Sequence, residues 1–241
     1  MIYVWGICAA VGFLASFTVA ARELRRRGID PGIIWDLAPW IVISGLIGSR
    51  LYTVLLDSPD YYRSHLWEVP KIWAGGLSLF GGIIAGTATT LWLLHRRGML
   101  RKDILDSMAF ALPLGIGCGR IGCFLIHDHP GTLTHLVWGV RYPDGVRHDL
   151  GLELAVFDFA LFALFLWIRR FKKVSNGFFI AAFIIIKSLA RLWLDTYRIW
   201  DGPLAEPRYG VFTATQIIAI ITLCITVVIL VKMQTRLVAR R

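Results

Sequence analysis

The chain has 241 residues, 56% of them hydrophobic, and its 26 basic against 16 acidic residues leave a net charge of +10. In a soluble protein that charge would point to nucleic acid, but the long uncharged runs between the charged groups exclude an ordinary soluble domain and indicate a membrane bundle. The basic residues then serve as a topology signal.

A helix needs roughly 20 apolar residues to cross the hydrocarbon core. Seven stretches approach that length: 2–21, 33–56, 74–95, 103–126, 152–168, 176–194 and 211–232. The first lacks a basic leader and an A-x-A cleavage site, so a retained helix is expected; Arg22, Arg25, Arg26 and Arg27 follow it. The second carries Arg50 within Gly45-Leu-Ile-Gly-Ser-Arg50-Leu-Tyr52. The third opens on Ala74-Gly75-Gly76-Leu77-Ser78-Leu79-Phe80-Gly81-Gly82 and is followed by Arg96, Arg97, Arg101 and Lys102. The fourth holds Gly115-Ile-Gly-Cys-Gly-Arg120-Ile-Gly-Cys-Phe124 and leaves through Ile126-His127-Asp128-His129-Pro130-Gly131. The fifth is short, is expected to extend at either end, and precedes Arg169, Arg170, Lys172 and Lys173. The sixth carries Lys187, Arg191, Asp195 and Arg198, and the tail after the seventh adds Lys232, Arg236, Arg240 and Arg241.

The basic groups occupy every second connection, which places them in the cytoplasm by the positive-inside rule. The connections between them mix Arg63, Lys71, Arg141, Arg147, Arg198 and Arg208 with Asp57, Asp60, Glu68, Asp144, Asp149, Asp201 and Glu206. The predicted architecture is an all-α polytopic membrane protein with about seven transmembrane helices, the N-terminus outside and the C-terminus cytoplasmic. No repeat or low-complexity linker divides it, so residues 1–241 read as one transmembrane domain. Cys8, Cys118, Cys123 and Cys224 lie in or at the end of spans without the spacing of a disulfide scaffold, and no structural disulfide is expected.

An arginine in lipid is costly unless it faces protein, water or an anionic ligand. Arg50, Arg120 and Arg191 lie in the later parts of spans that run outward, so all three approach the outer leaflet. The pairs Gly75-Gly76 and Gly81-Gly82 start the third span on that side, where small residues permit close backbone approach and free helix N-terminal amides suit a phosphate. Arg191 and Asp195 share a helical face, and Arg198 is three residues further, so the acid orients either guanidinium. Each element also has a structural reading: a snorkelling arginine, small-residue helix packing, an ion pair. Their convergence on one side favours a site for an anionic lipid headgroup. Beyond Arg120, the segment His127, Asp128 and His129 offers a base and its orienting group. Cys123 and His127, spaced i,i+4, with His129 or Asp128 suggest a zinc site, but no second ligand pair has zinc-ribbon spacing, and the metal reading is the weaker one.

These residues resemble those of the prolipoprotein diacylglyceryl transferase family over nearly the whole chain. The family's G-R-x-G-N-F and following N-x-E-x-x-G stand here as Gly119-Arg120-Ile121-Gly122-Cys123-Phe124 and His127, Asp128 and Gly131, without a gap. Gly45 to Leu56 is similar to its G-x-x-G-A-R-L-Y-Y-V-L element, Trp73 to Gly82 to W-x-G-G-x-S-x-H-G-G, and Arg191 to Arg198 to R-x-x-x-E-x-x-R. The resemblance implies transfer of the diacylglyceryl unit of phosphatidylglycerol to the thiol of a lipobox cysteine in a prolipoprotein signal peptide, with release of glycerol phosphate. It implies a multi-pass protein of the bacterial inner membrane whose site faces the outer leaflet, and no metal or organic cofactor. Catalytic roles fall on Arg120, Arg191, Asp128, His127 and His129. Substrate binding falls on Arg50, Gly75, Gly76, Gly81, Gly82, Asp195 and Arg198, to which the resemblance adds Gly122, Cys123 and Gly131.

Several positions depart from the family's pattern. Cys123 replaces the signature asparagine, Asp128 and Asp195 replace glutamates, Phe80 stands where many members have histidine, and Trp5 where a tyrosine is expected. The stretch from His148 to Glu153 resembles H-P-S-Q-L-Y-E only loosely. Two other readings follow from these departures and from the buried charges. One is a non-catalytic phospholipid-binding paralogue, or a lipid transferase with a different acceptor. The other is a small-molecule transporter, against which the missing repeat and missing midplane helix breaks count.

Overall fold

The structure, a computed structural model, describes residues 2–200 and 208–238. The expected outer-loop residues Asp201 and Glu206 and the tail residues Arg240 and Arg241 lie outside the described residues. In chain order come α1 (Ile2–Arg26), α2 (Gly32–Tyr52), which continues as a π-helical turn over Thr53–Asp57, α3 (Pro59–Ser64), α4 (Leu79–Arg96) and α5 (Lys102–Ile126). Then follow β1 (Pro130–Leu133), β2 (Val140–Tyr142), β3 (Gly145–Asp149), α6 (Leu150–Phe171), α7 (Phe178–Leu194), β4 (Arg208–Tyr209), β5 (Phe212–Thr213) and α8 (Ala214–Val238).

Five helical stretches are long and apolar enough to cross a membrane: Val4–Arg26, Gly32–Asp57, Lys102–Ile126, Leu150–Phe171 and Ala214–Lys232. The helices α4 and α7 have 18 and 17 residues. Large apolar groups such as Ile7, Leu14, Ile84, Val156 and Ile225 point outward from these helices, the arrangement expected where the surrounding solvent is lipid and the backbone must satisfy itself. The protein is therefore a helical polytopic membrane protein. Its fifth expected span does extend at both ends, as α6. The third starts five residues later than the hydropathy suggests, at Leu79, because Gly75 and Gly76 take left-handed φ values of +93° and +69° that no helix continues through.

The described residues form two compact units, a smaller one of Phe17–Ser107 and a larger one of Tyr3–Ser16 with Met108 onward. In the smaller unit, α2 packs on α4 through glycines. A Cβ on Gly81 would overlap the Gly48 carbonyl and come within 2.5 Å of the Tyr52 Cβ, and one on Gly48 would overlap Ala85. Close backbone contact of this kind is how helices associate where no hydrophobic driving force separates them from lipid. The guanidinium of Arg27 bonds Glu23 at 3.3 Å and the fully buried Asp106 at 3.0 Å.

In the larger unit, α1 meets α5 where a Cβ on Gly12 would lie 2.5 Å from the Gly115 carbonyl, and the Ser16 hydroxyl donates to the Ala111 carbonyl at 3.2 Å. Phe110, Phe162, Phe165 and Phe179 form an aromatic cluster between α5, α6 and α7. The start of α8 is a reciprocal cap: Thr213 Oγ1 accepts from the Gln216 amide at 3.1 Å while Gln216 Oε1 accepts from the Thr213 amide at 3.0 Å. Gln216 Nε2 also donates to the Leu192 carbonyl of α7 at 3.2 Å. Between α5 and α6 lies a three-stranded antiparallel sheet in the order β1-β3-β2, with Pro130 opposite Asp149 and Tyr142 opposite Gly145.

Candidate active site

The glycine-rich end of α5 carries the first expected site residues. Gly122 lies against α1, where an added Cβ would come within 3.1 Å of Trp5 and Cys8. Both Arg120 and Cys123 are buried, and the side chains of Arg120 and Trp5 lie within hydrogen-bonding reach of the Cys123 sulfur. Two departures from the family's pattern, Trp5 and Cys123, thus meet each other.

The helix ends at His127, which takes φ +55° and is the non-glycine residue with positive φ among the described residues. A left-handed residue just past a helix end reverses the chain, a conformation usually left to glycine or asparagine. The turn folds Asp128 and His129 back toward the last turn of α5. One donor atom each from Cys123, Asp128 and His129 all lie within 4.8 Å of one another. The Nδ1 of His129 pairs with Asp128. The exposed ring of His127 instead rests against Phe124 and the edge of Tyr142, at centroid distances of 5.7 and 5.3 Å. The acid therefore orients His129 rather than His127.

Gly131 sits where no side chain fits: a Cβ would lie 2.8 Å from the His148 Cβ and from the Tyr197 carbonyl. It forms an antiparallel bridge with Arg198, so the loop after α5 is stitched to the segment after α7. Gly151 likewise lets the start of α6 approach the Phe124 amide and Cys123 backbone. Asp149 caps α6 by accepting from the Leu152 amide at 2.9 Å, while its other oxygen accepts from the Tyr142 hydroxyl at 2.7 Å. Burial and that bond to a carboxylate push the Tyr142 phenol well above its ordinary value.

The end of α7 supplies the second group. Asp195 is fully buried and accepts from Arg191 at 3.1 Å and Arg198 at 3.2 Å on one oxygen, and from the Thr213 hydroxyl at 3.4 Å on the other. It orients both guanidinium groups at once, not one or the other. Nearby, Lys187 Nζ bonds Asp158 Oδ1 of α6 at 2.6 Å, and the second Asp158 oxygen is buried without a hydrogen-bond partner. Arg120 is close enough to act electrostatically on Arg191, Lys187 and Asp158. Among the described residues, Arg120, Lys187, Arg191 and Arg198 thus gather around two carboxylates, Asp158 and Asp195.

One residue beside this cluster is not singled out by the sequence analysis and another pair is placed there only by the fold. Asp158 is an acid in the middle of an apolar span, a signal that pairs naturally with Lys187. The His148 imidazole bonds Glu153 at 2.6 Å and stacks on Tyr197 at 4.5 Å, a contact between β3, α6 and the α7 end that no local spacing announces.

The remaining expected site residues, Arg50, Gly75, Gly76, Gly81 and Gly82, belong to the smaller unit. Arg50 is buried and donates to the carbonyls of Val69 at 2.8 Å, Gly75 at 2.6 Å, Gly76 at 3.2 Å and Glu68, with its guanidinium over the Tyr62 ring. The Gly82 backbone lies against Ser49, and Phe80 sits beside Tyr52 at 6.2 Å between ring centroids. These contacts order the loop before α4 and seat α4 on α2.

A sequence model of the family described as prolipoprotein diacylglyceryl transferase matches residues 1–232. Relatives bearing the name phosphatidylglycerol–prolipoprotein diacylglyceryl transferase include one from Finegoldia magna, 27% identical over 97% of this chain and 92% of its own length. Another from Geobacillus kaustophilus is 30% identical over 94% of this chain and 86% of its own. A third from Frankia alni is 31% identical over 81% of this chain, which spans about half, 54%, of that longer relative. With the buried arginines, the glycine-rich helix end and a match along nearly its whole length, the chain belongs to the prolipoprotein diacylglyceryl transferase family.

Proposed function

We propose that this protein transfers the diacylglyceryl group of phosphatidylglycerol to the thiol of a lipobox cysteine in a prolipoprotein, releasing glycerol phosphate. The observation that carries this reading is the gathering of Arg120, Lys187, Arg191 and Arg198 inside the helical bundle, among the described residues. Such a cluster inside a membrane protein is stable when an anion completes it, and a phosphodiester headgroup supplies that charge. Arg120 and Arg191 present forked donors that match phosphate oxygens, where an ammonium is only a point charge. As the carbon–oxygen bond to the phosphate breaks, negative charge grows on the departing glycerol phosphate, and donors already held in place stabilise it without reorganising. Asp195 fixes two of those donors, Arg191 and Arg198.

The acceptor thiol reaches the site through the loop after α5, where, of His127, Asp128 and His129, the imidazole of His129 serves as the base and Asp128 as its orienting group. Gly122, Cys123 and Gly131 shape the space beside Arg120. Arg50, with Gly75, Gly76, Gly81 and Gly82, serves the substrate indirectly, by ordering the loop that leads into α4.

The chain crosses the bacterial inner membrane about seven times, with α4 and α7 as the shorter crossings. Its alternating basic clusters put the N-terminus outside and the C-terminus in the cytoplasm, so the site faces the outer leaflet. The experiment that tests the activity is reconstitution with phosphatidylglycerol and a lipobox peptide, with the diacylglyceryl thioether read by mass. A peptide left unmodified across varied lipids supports lipid binding without transfer.

A further inference from the structure

The segment that joins β1 to β2 is apolar and bare. Leu133 and Leu136 are exposed, Val137 is 96% and Trp138 58% exposed, and Val146 of β3 lies uncovered beside them. The segment is nevertheless a fixed turn: the Thr134 amide donates to the Val146 carbonyl and the Gly139 amide to the Leu136 carbonyl, both at 2.9 Å, and a Cβ on Gly139 would lie 2.5 Å from the Val146 side chain. Its height above the bundle follows from the register. The 22 residues of α6, Leu150–Phe171, at about 1.5 Å each give roughly 33 Å, close to the thickness of the hydrocarbon core. Asp149, the N-cap of α6, therefore sits at the edge of that core. Leu133 and Val140, the two ends of the turn, both stand opposite Arg147. That is two residues from Asp149, at most roughly 7 Å along a strand. The headgroup layer on one face of a bilayer is about 5–8 Å deep, so both ends of the turn lie within it.

We propose that the turn from Leu133 to Trp138 is a membrane anchor that inserts into the headgroup layer on the bilayer face where the candidate site opens. The proposal goes beyond the transferase reading and does not require it. Leu136, Val137 and Trp138 enter the lipid, and an indole is the side chain best suited to that depth, with an apolar body and one polar edge. The charge of the segment complements an anionic phospholipid surface: no acid occurs from Pro130 to Pro143, and Arg141 is exposed without an ion-pair partner among the described residues. Arg147, by contrast, is held by Asp144 at 2.9 Å. In water an apolar patch of this kind is an association hazard; against a bilayer it continues the lipid-facing surface of the helices. The anchored sheet also carries part of the site. Gly131 of β1 bridges Arg198, and Arg147 Nη1 donates to the Gly131 carbonyl at 2.8 Å. Anchoring the turn therefore holds the segment after α5 at the depth of a phospholipid headgroup.

The test places a nitroxide on Val137→Cys in the full chain, in bilayer discs of phosphatidylglycerol and phosphatidylcholine. The wild type is labelled in parallel to subtract any signal from the native thiols. Collisions with oxygen, which dissolves in lipid, are compared with collisions with a water-soluble nickel chelate. The expected oxygen-to-nickel ratio is several-fold higher than for the same label in a Leu136→Asp, Trp138→Asp background, whose added charges keep the turn in water. Quenching of Trp138 fluorescence by lipids brominated near the headgroup, wild type minus Trp138→Phe, gives a second reading without a label and is expected to agree. All of these side chains are exposed, so the thermal midpoints of the variants are expected to match the wild type. Equal nickel access in the two backgrounds overturns the proposal. So does shielding that appears only after a lipobox peptide is added, which assigns the turn to the acceptor, or shielding that vanishes in discs holding a single chain, which assigns it to a second copy. None of these readings requires transfer, so the transferase reading is decided separately.

Discussion

Lys187 and Asp158 form a 2.6 Å ion pair between α7 and α6, with the aspartate fully buried. Removing one partner leaves an uncompensated charge away from water, which costs about 3–5 kcal/mol. Asp158→Ala or Lys187→Met alone is expected to lower the thermal midpoint in detergent sharply. The pair replaced together by Leu and Met is expected to recover most of the loss, because it buries no charge. Equal destabilisation by the double variant would show that the pair contributes packing rather than charge balance.

Arg120→Lys keeps the charge and loses the fork. Transfer is expected to fall about 100-fold or more, in line with removing one preorganised donor to a developing anion, while the helix content and detergent behaviour stay unchanged. Normal turnover by the folded variant would remove Arg120 from the phosphate clamp.

The two histidines after α5 are expected to separate. His129 is held by Asp128, whereas His127 rests exposed against Phe124 and Tyr142. His129→Ala should lower the rate and alter its pH dependence; His127→Ala should leave both near wild type. Unchanged rate and pH profile for the two variants singly and together would assign thiol activation to the field of Arg120 and Arg191 alone.

Tyr142 is held protonated by its bond to the Asp149 carboxylate and by burial. A phenol raised in the folded state contributes stability that is fully present below its unfolded pKa of about 10 and is lost as pH rises through the higher folded value. A phenolate absorbance titration, wild type minus Tyr142→Phe, is expected to show this group ionising later than the exposed tyrosines. Ionisation at the ordinary pH would mean that the Tyr142–Asp149 bond does not form in solution.

Much of this organisation was legible in the sequence because lipid imposes a strong code. Apolar length located the helices to within a few residues, and the buried arginines announced themselves as charges where charge is costly. The exceptions have local causes. The α4 start was misplaced because hydropathy does not register that Gly75 and Gly76 turn left-handed around Arg50. The glycine pairs looked like a phosphate cradle, yet Gly81 is tight against the Gly48 carbonyl and Tyr52, a packing role that spacing alone does not separate from a binding one. The i,i+4 spacing on a helix groups Cys123 with His127 and adds His129 or Asp128; the helix stops at Ile126, so the turn leaves His127 aside and brings both Asp128 and His129 near Cys123. His148 with Glu153 was seen only as a loose motif, because what gives the pair its place is the stack on Tyr197 from a distant segment.

The central claim, that the buried cationic cluster holds a phosphodiester lipid whose headgroup leaves as glycerol phosphate, is tested most directly with phosphatidylglycerol labelled in its glycerol headgroup. The full chain is placed in vesicles of that lipid with a lipobox peptide. The expected result is labelled glycerol phosphate in one-to-one yield with peptide thioether, absent when the peptide cysteine is serine and strongly reduced in Arg191→Lys. Thioether formation without labelled glycerol phosphate, or equal release with the serine peptide, would contradict the account.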